Sequence, residues 1–255
     1  MRIEVIFTPQ DVDENALRDR TVVMIDVLRA SSSIITALSN GARGIIPVAT
    51  VEAAVKMAGN LAGDVVLLAG ERNAKMIQGF QLGNSPLEYT PDKVKGKTIV
   101  FSSTNGALAL SKGRLARELA VCAFLNMKTA MEFIIRQPRD FVIMCSGTNG
   151  AFSLEDSVCA GMLVNSVVES KRAEVELADG ALAAEKLSKS LGRNIPKMIG
   201  MGEHGRLLEG LGFGEDVKYC GIVNSVPVLP VLDGNVLTLK HDAERNEPAL
   251  PLSPA

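Results

Sequence analysis

Four segments of this chain carry residue types that handle oxyanions and cations at places where an apolar run gives way to a turn. In IDVLRASSS, Asp26 closes such a run, Arg29 follows in the turn, and Ser31, Ser32 and Ser33 begin a helical stretch. In GERNAKMIQGFQLGNSP, Glu71 and Arg72 follow another run, and Asn84 and Ser85 come before Pro86. The third segment is Ser102 to Gly106, with Ser103, Thr104 and Asn105, and the fourth is Ser146 to Gly150, with Gly147 and Thr148. Together they suit an anion handled beside a divalent cation. Guanidinium groups pair with phosphate or sulfonate through two bonds, hydroxyls and turn amides cradle oxygens, and carboxylates hold a metal. His204 and His241 are the only histidines and the thiols read as buried, so oxygen ligands remain, which favours magnesium or a similarly hard ion over zinc.

Each segment also has a plainer reading. Asp26 and Arg29 could be a strand-end ion pair and the serines an ordinary helix cap. Glu71 and Arg72 could be a solvated pair, and Asn84 to Pro86 a generic turn. The two Thr-Asn-Gly turns, in FSSTNGALAL and MCSGTNGAFSLED, are local echoes of one another in which Asn and Gly supply left-handed backbone. Asp156 follows Glu155 at the start of a helix, where a carboxylate can stabilise the positive end of the dipole or bind metal. His204 is a candidate general acid, and Arg206 beside it a further anion contact. Several phosphatase signatures do not fit: Asp26 is followed by Val27 and Leu28, so it heads no D-x-D, and no C-x5-R, R-H-G or Walker A sequence occurs.

These segments must be positioned by the elements around them. Short β-rich runs at 2–7, 21–27, 44–49, 64–70, 98–103, 119–124 and 141–146 alternate with helical periodicity at 31–38, 51–61, 106–110, 127–135, 156–168 and 177–191. The pattern predicts an α/β fold, three-layer α/β/α with a largely parallel or mixed sheet, in one body or as two lobes around a cleft. Ligands in such sheets bind at the carboxyl ends of the strands, where all four segments fall. Residues 216–239 return to strand-like pieces with Pro227 and Pro230, which suits an edge strand or hairpin better than a sheet centre. The expected domain spans 1–242, with 243–255 a disordered, Pro-rich tail.

Composition narrows the function. Lys and Arg number 27 against 29 Asp and Glu, so no bulk positive field exists for a nucleic acid or an anionic membrane. Trp is absent and aromatics are scarce, which removes stacking platforms for single strands. The four cysteines form no C-x-x-C pair and read as reduced core thiols, and no run reaches the roughly 18 apolar residues of a membrane span. A cytoplasmic enzyme with a small-molecule substrate is expected, as a symmetric homodimer.

Taken in order, IDVLRASSSIITALSNGA, GERN with GFQLGNSP, FSSTNGALAL, LEDSVCAGMLV and GRLLEGLGFGEDVKYC resemble the 2-phosphosulfolactate phosphatase family over nearly all of residues 1–240. The resemblance implies magnesium-dependent hydrolysis of 2-phospho-3-sulfolactate to 3-sulfolactate and phosphate, a step towards coenzyme M or in related sulfonate metabolism. On the matching positions, Asp26 and Glu71 are expected as catalytic carboxylates or metal ligands, with Asp156 as a third ligand. Arg29 and Arg72 are expected on the substrate anions, with donors added by helix N-termini after Ser31, Asn105 and Asn149. Another phosphorylated hydroxy acid as substrate, or a non-catalytic sensor of such an anion, are the alternatives.

Overall fold

The computed structural model describes residues 1–10, 12–61, 65–137, 139–170 and 174–240, so the tail expected at 243–255 lies outside the described residues. Strands and helices alternate through the first two thirds of the chain: β1 (Arg2–Ile6), β2 (Thr21–Ile25), α1 (Ala30–Ser39), β3 (Gly44–Pro47), α2 (Val51–Asn60), β4 (Val66–Arg72) and β5 (Lys75–Met76). Then come α3 (Pro91–Val94), β6 (Thr98–Ser102), α4 (Gly106–Gly113), β7 (Glu118–Cys122), α5 (Met127–Ile135), β8 (Phe141–Cys145) and α6 (Leu154–Glu169). The remainder is β9 (Glu176–Leu177), α7 (Asp179–Leu191), α8 (Ile195–Met201), α9 (Glu203–Gly210), α10 (Gly214–Cys220), β10 (Pro230–Asp233) and β11 (Val236–Leu239). No helix among the described residues is long and apolar enough to cross a membrane.

The eleven strands among the described residues join one open mixed sheet in the order β5-β4-β6-β3-β11-β10-β7-β2-β8-β1-β9, covered by helices on both faces as a three-layer α/β/α arrangement. Alternation along β2 shows why both faces are covered. Val23 and Ile25 pack with α5, α6 and α7, while Val22 and Met24 pack with α1 and α4. Helix α1 is buried from Ala30 through Leu38, because Met24, Ile45, Ile99 and Phe101 of the sheet pack on one side of it and Ala123, Leu125, Tyr219 and Val226 pack with Ile35 on the other. A helix buried all round must satisfy its own polar groups. Its serines do so: Ser32 Oγ donates to the Val27 carbonyl at 2.8 Å and Ser33 Oγ to the Asn84 carbonyl at 2.7 Å.

The sheet centre corrects one expectation. Two parallel blocks, β4-β6-β3 and β7-β2-β8-β1-β9, are joined by the antiparallel β10-β11 hairpin, so the proline-bearing C-terminal pieces form a hairpin as expected but lie at the sheet centre. The sheet tolerates this because Pro230 is the first residue of β10, and β10 touches β7 through one pair, Val231 with Ala120. A second correction concerns 216–220, which lies in α10 where strands were expected. Asp216, Val217 and Cys220 share its buried side, a helical spacing.

Three successive antiparallel pairings, β7-β10, β10-β11 and β11-β3, reverse chain direction between the two blocks. Flat, such a sheet would leave the ends of β2 and β6 at opposite margins. Sheet twist of roughly 20–25° per neighbour, accumulated over five steps, swings the blocks by on the order of 100° and lets their carboxyl ends converge. The convergence is direct, since Gly106, just past β6, lies against Ala30 and Asp26, just past β2.

Candidate active site

A cleft of about 410 Å³ opens where these strand ends meet, with α9 along one wall. At its floor the Asp26 carboxylate caps α1, Oδ1 accepting from the Ala30 N–H at 3.0 Å, while the Asp26 N–H donates to Ser31 Oγ at 2.9 Å. Oδ2 faces the first residue of α4. A Cβ at Gly106 would sit 2.9 Å from that oxygen and 2.7 Å from the Ala30 methyl, so glycine permits the approach. The N-terminal ends of α1 and α4 therefore meet at one carboxylate, in the position that favours anions. Burial lifts the Asp26 carboxyl from its ordinary 3.8 to about 6. Hydrogen bonds from Ser146 and the Ala30 amide oppose that rise, and the charges of Glu71 and Glu155 add to it.

Glu71 stands at the end of β4, buried, with each oxygen fixed by an amide: Oε2 accepts from Ala74 at 2.9 Å and Oε1 from Thr104 at 2.8 Å. The turn that makes this possible holds Asn73 and Ala74 at φ 52° and 63°, a left-handed pair without glycine. The same turn serves Arg29, whose Nη2 donates to the Ala74 carbonyl at 2.8 Å. Nη1 of Arg29 donates to Asp216 Oδ2 at 2.6 Å, and the guanidinium lies 4.3 Å from the centre of the Phe213 ring.

Asn84 and His204 complete the walls. Asn84 Oδ1 and His204 Nδ1 are both buried without a hydrogen-bond partner among the described residues, and both residues line the cleft. Burial, reinforced by the Arg29 charge, pushes the His204 imidazole below its ordinary value, which keeps it neutral at neutral pH. Leu207 and Leu211 form an apolar border on the same side.

The profile of the 2-phosphosulpholactate phosphatase family matches residues 6–235 of the sequence. The chain belongs to that family. It is similar to a probable 2-phosphosulfolactate phosphatase of Caldanaerobacter subterraneus subsp. tengcongensis, 40% identical over 242 residues that cover 95% of this chain and all of the relative. A probable 2-phosphosulfolactate phosphatase of Thermotoga petrophila is 42% identical over 222 residues, covering 87% of this chain and 93% of the relative. One of Clostridium novyi is 37% identical over 230 residues, covering 90% and 96%. The protein is thus a phosphoric monoester hydrolase by family, which sets aside the non-catalytic sensor.

Within this phosphatase family cleft the structure brings together Asp26, Arg29, Glu71, Asn84, Ser103, Thr104, Asn105 and Thr148, each expected from the sequence. Others lie behind it. Ser31 and Ser32 are buried in the floor, and Ser85 Oγ donates to Asp216 Oδ1 at 2.6 Å. Arg72 is turned away: Nη1 donates to the Glu71 carbonyl at 2.7 Å, and Nη2 to the Ala49 carbonyl at 3.0 Å and to Ser102 Oγ at 2.9 Å, tying three strand ends together. Arg206 is exposed and donates to the Met201 carbonyl.

Asp156 is a brace at the back of the site. Oδ1 accepts from the Val27 N–H at 2.8 Å and Oδ2 from Gly147 at 3.2 Å, with Ser146 Oγ 3.4 Å from Oδ2. Burial, then the charges of Asp26 and Glu155, pushes its carboxyl well above the usual range. Asn149 precedes no helix; α6 starts at Leu154, with Ser153 Oγ accepting from the Asp156 N–H. The sequence reading missed Asn73, Lys75 and Asp216. Only Asp216 carried a signal, the helical spacing of 216, 217 and 220.

Proposed function

We propose that this protein hydrolyses 2-phospho-3-sulfolactate to 3-sulfolactate and phosphate with magnesium as cofactor, within coenzyme M or related sulfonate metabolism. The observation that carries the proposal is the meeting of two helix N-termini at a buried carboxylate, opposite a second carboxylate and beside a fixed guanidinium. The helix ends and Arg29 supply direction and partial positive charge for phosphoryl oxygens, which need little reorganisation as charge develops there. Asp26, ionised above about pH 6, would align an attacking oxygen or act on the phosphorus itself.

The residues fit a hard divalent cation. Asp26 and Glu71 present carboxylate oxygens and Asn84 a buried, unpaired amide oxygen in one cleft, while no group of three or more His, Cys, Asp or Glu side chains gathers among the described residues. That donor set suits magnesium, which takes one or two carboxylates and fills its shell with water and substrate oxygens. Charge balance agrees: Arg29 is already paired with Asp216, so among the described cleft residues Lys75 alone stands against Asp26 and Glu71, and a substrate with phosphate, sulfonate and carboxylate groups needs further positive charge. Bound magnesium would supply that charge and polarise the phosphoryl group.

The test is phosphate release from 2-phosphosulfolactate with magnesium and after chelation, beside phospholactate without the sulfonate. Release that needs the cation and favours the sulfonated compound is expected. Equal release from both would move the assignment to another phosphorylated hydroxy acid.

A further inference from the structure

The Arg29–Asp216 contact is the strongest unexplained feature of the cleft. Both side chains are almost fully enclosed, at 2% and 4% exposure, although Arg29 forms part of the cleft lining and Asp216 does not. Stability alone is a poor account of it, because a buried ion pair holds a fold no better than well-packed apolar residues of the same volume. The surroundings are built to fix the guanidinium in three directions. Asp216 takes one terminal nitrogen, the Ala74 carbonyl takes the other, and Phe213 covers the plane. Asp216 is itself fixed through its second oxygen by Ser85 Oγ. A guanidinium has five N–H groups in a rigid fork, so two committed bonds leave the others to face the cleft in one orientation.

We propose that Asp216 is the positioning residue of this site, holding Arg29 so that its remaining N–H groups meet an oxyanion, and rests on the reading of the cleft as a phosphate-handling site. The pairing also changes what Arg29 contributes. With its charge balanced by Asp216, the guanidinium recognises the anion by hydrogen-bond direction more than by net charge, so a displacement of the fork is as costly as its loss. The segment that carries Phe213 and Asp216 continues from α9, which carries His204 and Leu207, so one stretch of chain supplies both a cleft wall and the anchor behind it.

The experiment is titration calorimetry with inorganic phosphate in magnesium buffer, on the wild type, Asp216→Glu, Asp216→Asn, Arg29→Lys and the double variant Asp216→Asn with Arg29→Lys. Asp216→Glu keeps the charge pair while moving the carboxylate by one methylene, so it guards against a variant that fails to fold. Tenfold or greater loss of phosphate affinity is expected in each single variant, with the thermal midpoint of Asp216→Glu near that of the wild type. The double variant is expected within twofold of Arg29→Lys, because the two residues act as one unit. Affinity within twofold of the wild type in Asp216→Glu, or losses that multiply in the double variant, would overturn the proposal. Phosphate is the product of any phosphomonoester hydrolysis. Failure on the sulfonated substrate with phosphate binding intact therefore sinks only the substrate assignment, whereas a wild type that binds no phosphate sinks the role of Asp216.

Discussion

The tetrapeptide Thr-Asn-Gly-Ala occurs twice beside the cleft and takes two shapes. After β6, Asn105 is the N-cap of α4 and Gly106 is already helical, pressed against Asp26. After β8, Asn149 and Gly150 are left-handed at φ 52° and 79°, Thr148 and Ala151 pair across the turn, and the helix waits until Leu154. The neighbours decide between them. In the first turn Glu71 takes the Thr104 N–H and Ser103 Oγ takes that of Ala107, which sets the helix going. In the second, Asp156 reaches back to the Gly147 N–H and the chain must first reverse. The copies touch, the Asn149 N–H donating to Asn105 Oδ1 at 3.0 Å. A shared sequence thus yields a helix terminus pressed against Asp26 in one place and a reversing turn at the cleft rim in the other, because a different carboxylate owns each.

The largest break in this comparison is expected from glycine substitutions. Gly106→Ala puts a methyl 2.7 Å from the Ala30 methyl, with no flexible end to yield, so kcat/KM should fall at least about 100-fold as Asp26 is displaced. Gly150→Ala meets the movable Gln10 side chain and a left-handed φ. It should cost about 1–2 kcal/mol in urea unfolding, with kcat/KM within about threefold of wild type. Equal activity losses in both would mean that the two turns are not functionally distinct.

Next in size is the pH dependence of stability set by the carboxylate that the first turn faces. Asp26 has a folded value of about 6 against 3.8 ordinarily, so its favourable contribution is complete below pH 3.8 and is lost as pH rises through 6. The loss should reach on the order of 3 kcal/mol by neutral pH without divalent cations. Asp26→Asn should reduce the slope in denaturant titrations at pH 4, 5.5 and 7.5, leaving the part carried by Asp156 and Glu155, and should abolish phosphate release while raising stability at pH 7.5. A variant as pH-dependent as the wild type would show that another group carries the slope.

The smallest effect is expected at the link between the copies. Asn105→Ala removes one exposed hydrogen bond and should cost no more than about 1 kcal/mol, with KM raised by no more than about fivefold. A collapse of kcat there would show that the second turn shapes the catalytic geometry after all.

Much of the scaffold was legible because its signals are local. Continuous apolar runs marked β2, β7 and β8, whose residues are almost wholly buried, and one-sided spacing marked α5 at its observed limits. Asp26 and Glu71 were legible as carboxylates at strand ends. Residue type did not reveal where a side chain would turn: Arg29 and Arg72 each follow such a carboxylate, yet carbonyls of three strand ends capture Arg72 behind the cleft. Ser31 and Ser32 looked like ligand hydroxyls, and became internal partners because α1 is covered by the sheet on one side and by the 123–125 and 219–228 segments on the other. The central place of Pro230 was hidden for a similar reason, since strand order is a tertiary fact and the proline rule holds for the interior of a strand, not its first residue.

The hairpin that joins the two parallel blocks has a consequence for how the protein is made. Every strand it connects precedes it in the chain, so while the ribosome is still adding residues up to 229, the margins of β3 and β7 stand open with unpaired N–H and C=O groups. Only when 230–239 emerges do those margins close, each through a single residue pair, Leu237 with Ile45 and Val231 with Ala120. Open sheet margins of this kind pair readily with other chains, so the last strands of the sequence are the ones that make the sheet continuous.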